Sequence, residues 1–347
     1  MTAELAAWVM VLAIAAYACA GGTDYGAGLW DLLAGGPERG RRPRWLIDHA
    51  MAPVWETNNV WLIFVLIVMW TGFPTMFQAV FTALWLPLAL AAVGLVLRGA
   101  GFALRKPTHR LAGRRLYGAM FAVASLLTPF FLGAALGAIA SGRVRTGTAA
   151  SADAWANPTS VLTGLLAVAA AAFLGAVFLS CDARRFGADD LVAYFKVRAL
   201  CAFAAVVVLA LVALPVTHGD ARYVWEGLTG GWGLALVVLS AVCGLATVLL
   251  LLRRSHGLPR WTAVAAVALT VCAWGVAQRP YLLPTSLTVA QGAGAPHTLR
   301  WLALVTVVAV VVVGPALVLL YRLDTMGELQ PLTDADTGAA GAPGDDC

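Results

Sequence analysis

One acid and two adjacent carboxamides stand close together in Ala52-Pro53-Val54-Trp55-Glu56-Thr57-Asn58-Asn59-Val60-Trp61-Leu62, bracketed by two tryptophans. A long apolar run follows. Polar groups at the start of such a run are costly to take out of water unless they pair, meet water or carry out a reaction. A second acid, Asp24, lies near the far end of the first apolar run, within Gly21-Gly22-Thr23-Asp24-Tyr25-Gly26-Ala27-Gly28. The chemistry these residue types offer is proton loading and release by Glu56 and Asp24. Asn58 and Asn59 are suited to hold a water or the carboxylate itself. A plainer reading stands beside it. An acid in the first turn of a helix is favoured by the helix dipole, and Asp24 then only bonds backbone or tryptophan groups at a helix end.

The elements that must position these groups are membrane helices. Of 347 residues, 61% are hydrophobic and 12% charged, with a mean hydropathy of +0.83. A soluble domain of this length needs far more charge to cover its surface, so the excess apolar surface faces lipid. The net charge is +5. The basic residues sit between apolar runs and not in one patch, which points to membrane topology and away from nucleic acid. The six cysteines form no Cys-x-x-Cys pair and no metal spacing with histidine, so neither a disulfide framework nor a metal site is read. Ala18-Cys19-Ala20 resembles a small-residue cleavage site, but Glu4 stands where a signal peptide is basic, and the first apolar run is expected to stay.

At about 20 apolar residues per crossing, the chain divides into nine spans. The first starts near Leu5. The second is about Pro53 to Phe73, and the third Met76 to Leu97 after a turn at Pro74. The fourth is Leu116 to Ala140, kinked at Pro129, and the fifth Pro158 to Leu179. The sixth ends near Pro215, and the seventh at Arg253-Arg254. The eighth is Trp261 to Ala277, and the ninth Leu299 to Leu320. Residues 1–325 read as one transmembrane domain and 326–347 as a disordered cytoplasmic tail. The odd-numbered loops and the C-terminal end carry roughly 18 Lys and Arg, the even loops roughly 5. Arg39 to Arg44 and the series Arg98, Arg105, Lys106, Arg110, Arg114 and Arg115 are the main cytoplasmic loops. The N-terminus is then outside and the C-terminus inside. Asp24 and Glu56 lie near the cytoplasmic ends of neighbouring helices.

In residues and order, the chain resembles subunit II of the cytochrome bd-type quinol:oxygen oxidases over nearly its whole length. The glycine block is similar to that family's Asp-Gly-Phe-Asp-x-Gly-x-Gly. Residues 52–62 are similar to Pro-x-Trp-Asp-Gly-Asn-x-Val-Trp-Leu. Pro280-Tyr281-Leu282-Leu283-Pro284-Thr285-Ser286-Leu287 is similar to the proline-rich stretch before the family's last helix. The resemblance implies an all-α polytopic fold of two four-helix bundles plus one peripheral helix. It implies a haem-bearing subunit I as partner, with haem b and haem d in that partner and none on this chain. It also implies quinol as reductant, membrane lipid around the chain, and a cytoplasmic proton path with Asp24, Glu56, Asn58 and Asn59 as candidates. A quinone on this chain is a further implication, with Trp55 and Trp61 as its candidate border. Interfacial tryptophans serve equally as belt anchors.

Two departures stand out. Gly21 replaces the first acid of the family's glycine block, and Glu56 with Thr57 replaces its Asp-Gly. The histidines His49, His109, His218, His256 and His297 all read as loop or helix-end residues, and mid-span Met69 has no obvious partner ligand, which fits a haem-free chain. Three functions follow from this reading. They are the non-haem subunit of a prokaryotic plasma-membrane oxidase, a secondary transporter, and a scaffold paralogue that has lost its proton role. The polar groups gather at helix ends and not at mid-membrane in both halves, which disfavours the transporter.

Overall fold

The structure is a computed structural model. It describes residues 2–36, 38–51, 55–105, 111–253, 255 and 257–326; among these, the side chains of 51, 55–57, 102, 105, 111–115, 317, 318, 320, 321 and 323–326 lie outside the description. Thirteen helices and one hairpin follow in order: α1 Thr2–Leu32, α2 Arg41–Met51, α3 Trp55–Gly72, α4 Pro74–Ala83, α5 Trp85–Arg105, α6 Leu111–Ala140, α7 Pro158–Arg185, α8 Asp189–Asp220, α9 Arg222–Thr229, α10 Gly231–Leu252, α11 Leu258–Gln278, β1 Tyr281–Leu283, β2 Leu287–Thr288, α12 Val289–Gly292 and α13 Pro296–Met326. The nine long helices are α1, α3, α5, α6, α7, α8, α10, α11 and α13, which is the expected number of spans. Seven of them are long and apolar enough to cross a membrane unaided. The other two are α3, which forms a bent pair with α4, and α5, whose apolar part is the shorter Trp85–Gly101.

Helix α1 is the hub. It packs against α3, α6, α7, α11 and α13, while α5 pairs with α6, α7 with α8 and α10 with α11. The glycine block sets how close α1 and α7 come. A Cβ on Gly175 would lie 2.5 Å from the Gly26 carbonyl carbon, and one on Gly26 would strike the Ala171 carbonyl. The two backbones therefore touch, as small residues allow in a membrane where lipid tails provide no hydrophobic drive for helix association. Helices α8, α10 and α13 are the opposite case. Only 11%, 17% and 17% of their apolar windows are buried, so most of their valines and leucines face outward.

Several expectations are corrected. The third span begins at Trp85 and not Met76, because α4 takes the residues between. Helix α4 turns 118° from α3 at Pro74. It buries Met76, Ala79, Val80 and Ala83 and exposes Thr75, Gln78 and Thr82, a polar stripe at helical spacing that lipid would not tolerate. The arginine loop contains the amphipathic helix α2, whose Leu46 and Ile47 are buried while Arg41 and Arg42 are exposed. Arg44 closes the end of α1, donating from Nε to Asp31 at 2.9 Å and from Nη2 to the Gly35 carbonyl at 2.6 Å. Helix α8 runs through Pro215 to Asp220, and the following polar stretch is largely helix α9. Helix α6 holds Pro129 in its interior, where the sequence placed the kink. The Pro280–Leu287 stretch forms the one antiparallel hairpin among the described residues. The expected tail from 327 onward lies outside the described residues.

The two ends of the molecule are fastened by ion pairs. At the end holding the N-terminus of α1, Asp220 accepts from Arg143 and from the Thr159 hydroxyl at 2.6 Å. The bond to Asp220 holds the Arg143 guanidinium above its already high ordinary pKa. At the other end Arg260 meets Asp182, and Arg184 donates to the Ser255 carbonyl.

Replacing Gly175 with alanine is expected to force α1 and α7 apart, at a cost of about 1–3 kcal/mol. Thermal unfolding of the detergent-solubilised protein would show this as a lowered Tm.

Candidate functional site

Four helices meet around Asp24. Its α1 position lies eight residues before Leu32, about 12 Å along the axis at 1.5 Å per residue. It is therefore well inside the helix and not at its end, as the sequence reading had it. Asp24, Asn58 and Arg98 are each 5% exposed. Asn58, from the first turns of α3, donates its Nδ2 to Asp24 Oδ2 at 2.5 Å and to the Ala20 carbonyl at 3.2 Å. Of the two amides, Asn58 is thus the one turned to α1. Its half-buried neighbour Asn59 points elsewhere, since successive helical side chains diverge by about 100°.

Arg98 is a functional residue that the sequence reading missed. It was placed in the basic loop, whereas it sits inside α5 and reaches between α1 and α6. Its Nη2 donates to the Asp24 main-chain carbonyl at 2.8 Å, and its Nη1 donates to the Ser125 hydroxyl, which donates onward to the Phe121 carbonyl at 2.7 Å. The guanidinium lies between the rings of Tyr25 and Phe121, 4.9 Å and 4.5 Å from their centroids. Cation–π contact of this kind suits a desolvated arginine. The space comes from Gly28: a Cβ there would strike the Ser125 hydroxyl and approach Arg98 Nη1 to 3.0 Å. A signal for the inward arginine existed in the sequence. Gly94, Arg98 and Gly101 fall on one face of α5 at spacings of four and three, and all three are buried.

A buried carboxylate and a buried guanidinium here share one pocket of protein polar groups. Such an arrangement places a cation near the buried acid inside the membrane and gives the acid a hydrogen-bond donor in Asn58. Above it on α1, the Tyr25 and Tyr17 hydroxyls are 2.7 Å apart. Glu56 has its backbone in the first turn of α3, two residues before Asn58. Its side chain and that of Trp55 lie outside the described residues. Trp61 packs against the cluster of Tyr17, Tyr25 and Ala171. His49, His218 and His297 sit in end turns of α2, α8 and α13; His109 and His256 lie outside the described residues. Met69 is packed in the apolar core with Val65, Val68 and Phe73.

Replacing Arg98 with methionine is expected to leave Ser125 and the Asp24 carbonyl without their donor and the carboxylate without its cation. Leaving a buried acceptor without its donor costs about 1–3 kcal/mol. A melting curve would report it, and Arg98→Lys should recover only part because lysine lacks the planar fork.

Comparison with known proteins places this geometry. The family model described as cytochrome bd terminal oxidase subunit II matches residues 2–324. The cytochrome bd-I ubiquinol oxidase subunit 2 of Escherichia coli K12 is 24% identical over 180 residues, which is 50% of this chain and 47% of that protein. The cytochrome bd ubiquinol oxidase subunit 2 of Bacillus subtilis 168 is 26% identical over 112 residues, 32% of each chain. The matched segments thus span about half and about a third of these relatives. A chain in the structure of bd oxidase from Geobacillus thermodenitrificans superposes with a TM-score of 0.79 at 25% identity, covering 93% of this chain and 98% of that one.

Proposed function

We propose that this chain, which belongs to the cytochrome bd terminal oxidase subunit II family, is the non-haem subunit of a membrane quinol:oxygen oxidoreductase and carries part of its proton path. The enzyme oxidises quinol and reduces oxygen to water, and the protons consumed are drawn from the cytoplasm. Haem b and haem d belong to the partner, subunit I, which this chain helps to assemble. The observation that carries the proton reading is the buried Asp24 carboxylate, bonded to Asn58 beside the buried Arg98 guanidinium. A membrane helix bears such a group at a cost that function repays.

The direction of the path follows from charge. Arg39, Arg41, Arg42, Arg44, Arg184, Arg185 and Arg253 gather at the end where α1 stops, while Arg143, Arg145, Arg222 and Arg279 mark the other. The richer end is cytoplasmic by the positive-inside rule, so the N-terminus is outside. Protons then enter near Glu56 at the start of α3 and pass Asn58 to Asp24. Arg98 fixes the field at Asp24 and does not itself release a proton, because a guanidinium stays charged. Trp61, being packed against Tyr17 and Tyr25, serves this reading as the wall of the site.

The first test is the reduced-minus-oxidised spectrum of the complex purified through a tag on this chain. Bands of haem b and haem d, with quinol oxidase activity, are the expected result; a colourless stable preparation would sink the proposal. In the active complex, Asp24→Asn is expected to slow quinol-driven oxygen consumption about tenfold or more with haem content unchanged. Glu56→Gln should slow it in the same direction. Full activity in both variants would leave an assembly role alone.

A further inference from the structure

The phenols of Tyr17 and Tyr25 are buried polar groups that the proposed path does not yet use. They lie on α1 eight residues apart and meet edge to face, with ring planes at 73°. Tyr25 is 3% exposed and Tyr17 8%. Their hydroxyls are 2.7 Å apart. Apolar side chains pack with them: Trp61, Leu62, Leu95, Leu132 and Ala171. Two phenylalanines would fill this volume without bringing any hydroxyl into a dry core. Burying hydroxyls is costly unless each is bonded, and these two are bonded chiefly to each other.

Their position is as informative as their chemistry. The Tyr25 ring lies under the Arg98 guanidinium that holds the Asp24 carbonyl. Tyr17 lies about 10 Å farther along α1 from Asp24, at 1.5 Å per residue, toward the outer half of the membrane. Its ring also covers Gly21, since a Cβ there would come within 3.1 Å of Tyr17 Cε2. Position 21 is where the resembled motif has an acid and this chain has none. The Tyr17 ring thus fills the region into which a side chain at 21 would project.

We infer that the Tyr17–Tyr25 hydroxyl pair is the relay station beyond Asp24, standing in for the acid missing at position 21. The inference rests on the proton path proposed for Asp24. A phenol hydroxyl both donates and accepts. A proton arriving at one oxygen is matched by the departure of that hydroxyl's own proton to the next, and the second hydroxyl gives its proton up toward the oxygen being reduced in the partner subunit, so both tyrosines end neutral and unchanged. Neither residue is oxidised, and no further reactant is consumed. The pair carries the proton along α1 among the apolar side chains packed with it.

The test uses the whole oxidase complex with Tyr17→Phe, Tyr25→Phe and, alongside them, Asp24→Asn. Proton uptake is followed with a pH-indicator dye, together with oxygen consumption in H2O and D2O, haem content and the KM for quinol. Each Phe variant is expected to slow proton uptake at least about fivefold and to alter the solvent isotope effect, with haem content and KM unchanged. Wild-type uptake in both Phe variants, with Asp24→Asn slowed, would overturn the tyrosine station and leave the Asp24 path standing. Wild-type uptake in all three would remove both. Loss of haem or early melting in the two Phe variants would assign the phenols to packing and overturn the relay.

Discussion

The arrangement depends on keeping one guanidinium charged and satisfied inside the membrane. Arg98 cannot shed its proton, and hydrocarbon offers it nothing. Its surroundings are built to meet that demand: a hydroxyl on α6, a main-chain carbonyl on α1, and two aromatic faces. These partners come from two helices, α1 and α6. The arginine therefore fixes where α1, α5 and α6 stand relative to one another, and Asp24 inherits that geometry. A polar network of this kind rigidifies a core only when its members are bonded, and the Arg98 bonds extend through Ser125 to the Phe121 carbonyl.

Around that centre the chain follows the rules of a lipid solvent. Backbones come close where side chains vanish, as Gly26 and Gly175 do. Surfaces that meet no protein within the chain stay apolar, as on α8, α10 and α13. Polar residues outside the centre collect at the two ends, where Arg143 with Asp220 ties the α6–α7 connection to the end of α8, and Arg260 with Asp182 ties α11 to α7. Helices α2 and α4 have amphipathic sequences and do not extend the spans. They frame the bundle at its two rims.

Much of this was legible in the residues. Nine apolar runs announce nine long helices because length and composition alone decide what can cross a bilayer. Asp24 and Asn58 stood out since an acid and an amide are rare in such runs, and the structure joins them. Arg98 did not stand out, because it lies one residue past the apolar run ending at Leu97 and counts as a flank in any average of hydropathy. Only the face it shares with Gly94 and Gly101 betrays its direction. Helices α2 and α4 were hidden for a related reason: a run of arginines reads as a loop, and Met76 to Ala83 merges into the apolar run that follows. Tyr17 and Tyr25 were given no role, since their hydroxyls meet across two turns of helix and no local pattern marks that. Asn59 was paired with Asn58 by adjacency, although neighbours on a helix face different ways.

The glycine block carries two unrelated instructions in one short stretch. Gly26 serves a backbone, and its absent side chain is what lets α7 lie against α1. Gly28 serves a pair of side chains, since its empty space is held by Ser125 and Arg98. To a saturation mutagenesis both positions would look equally intolerant, yet their escape routes differ. A larger residue at 26 calls for a shifted helix, which no single second substitution supplies. A larger residue at 28 calls only for a shorter partner at 98 or 125. Over long divergence, positions 28, 98 and 125 should drift as a covarying trio spread over three helices, while position 26 stays still.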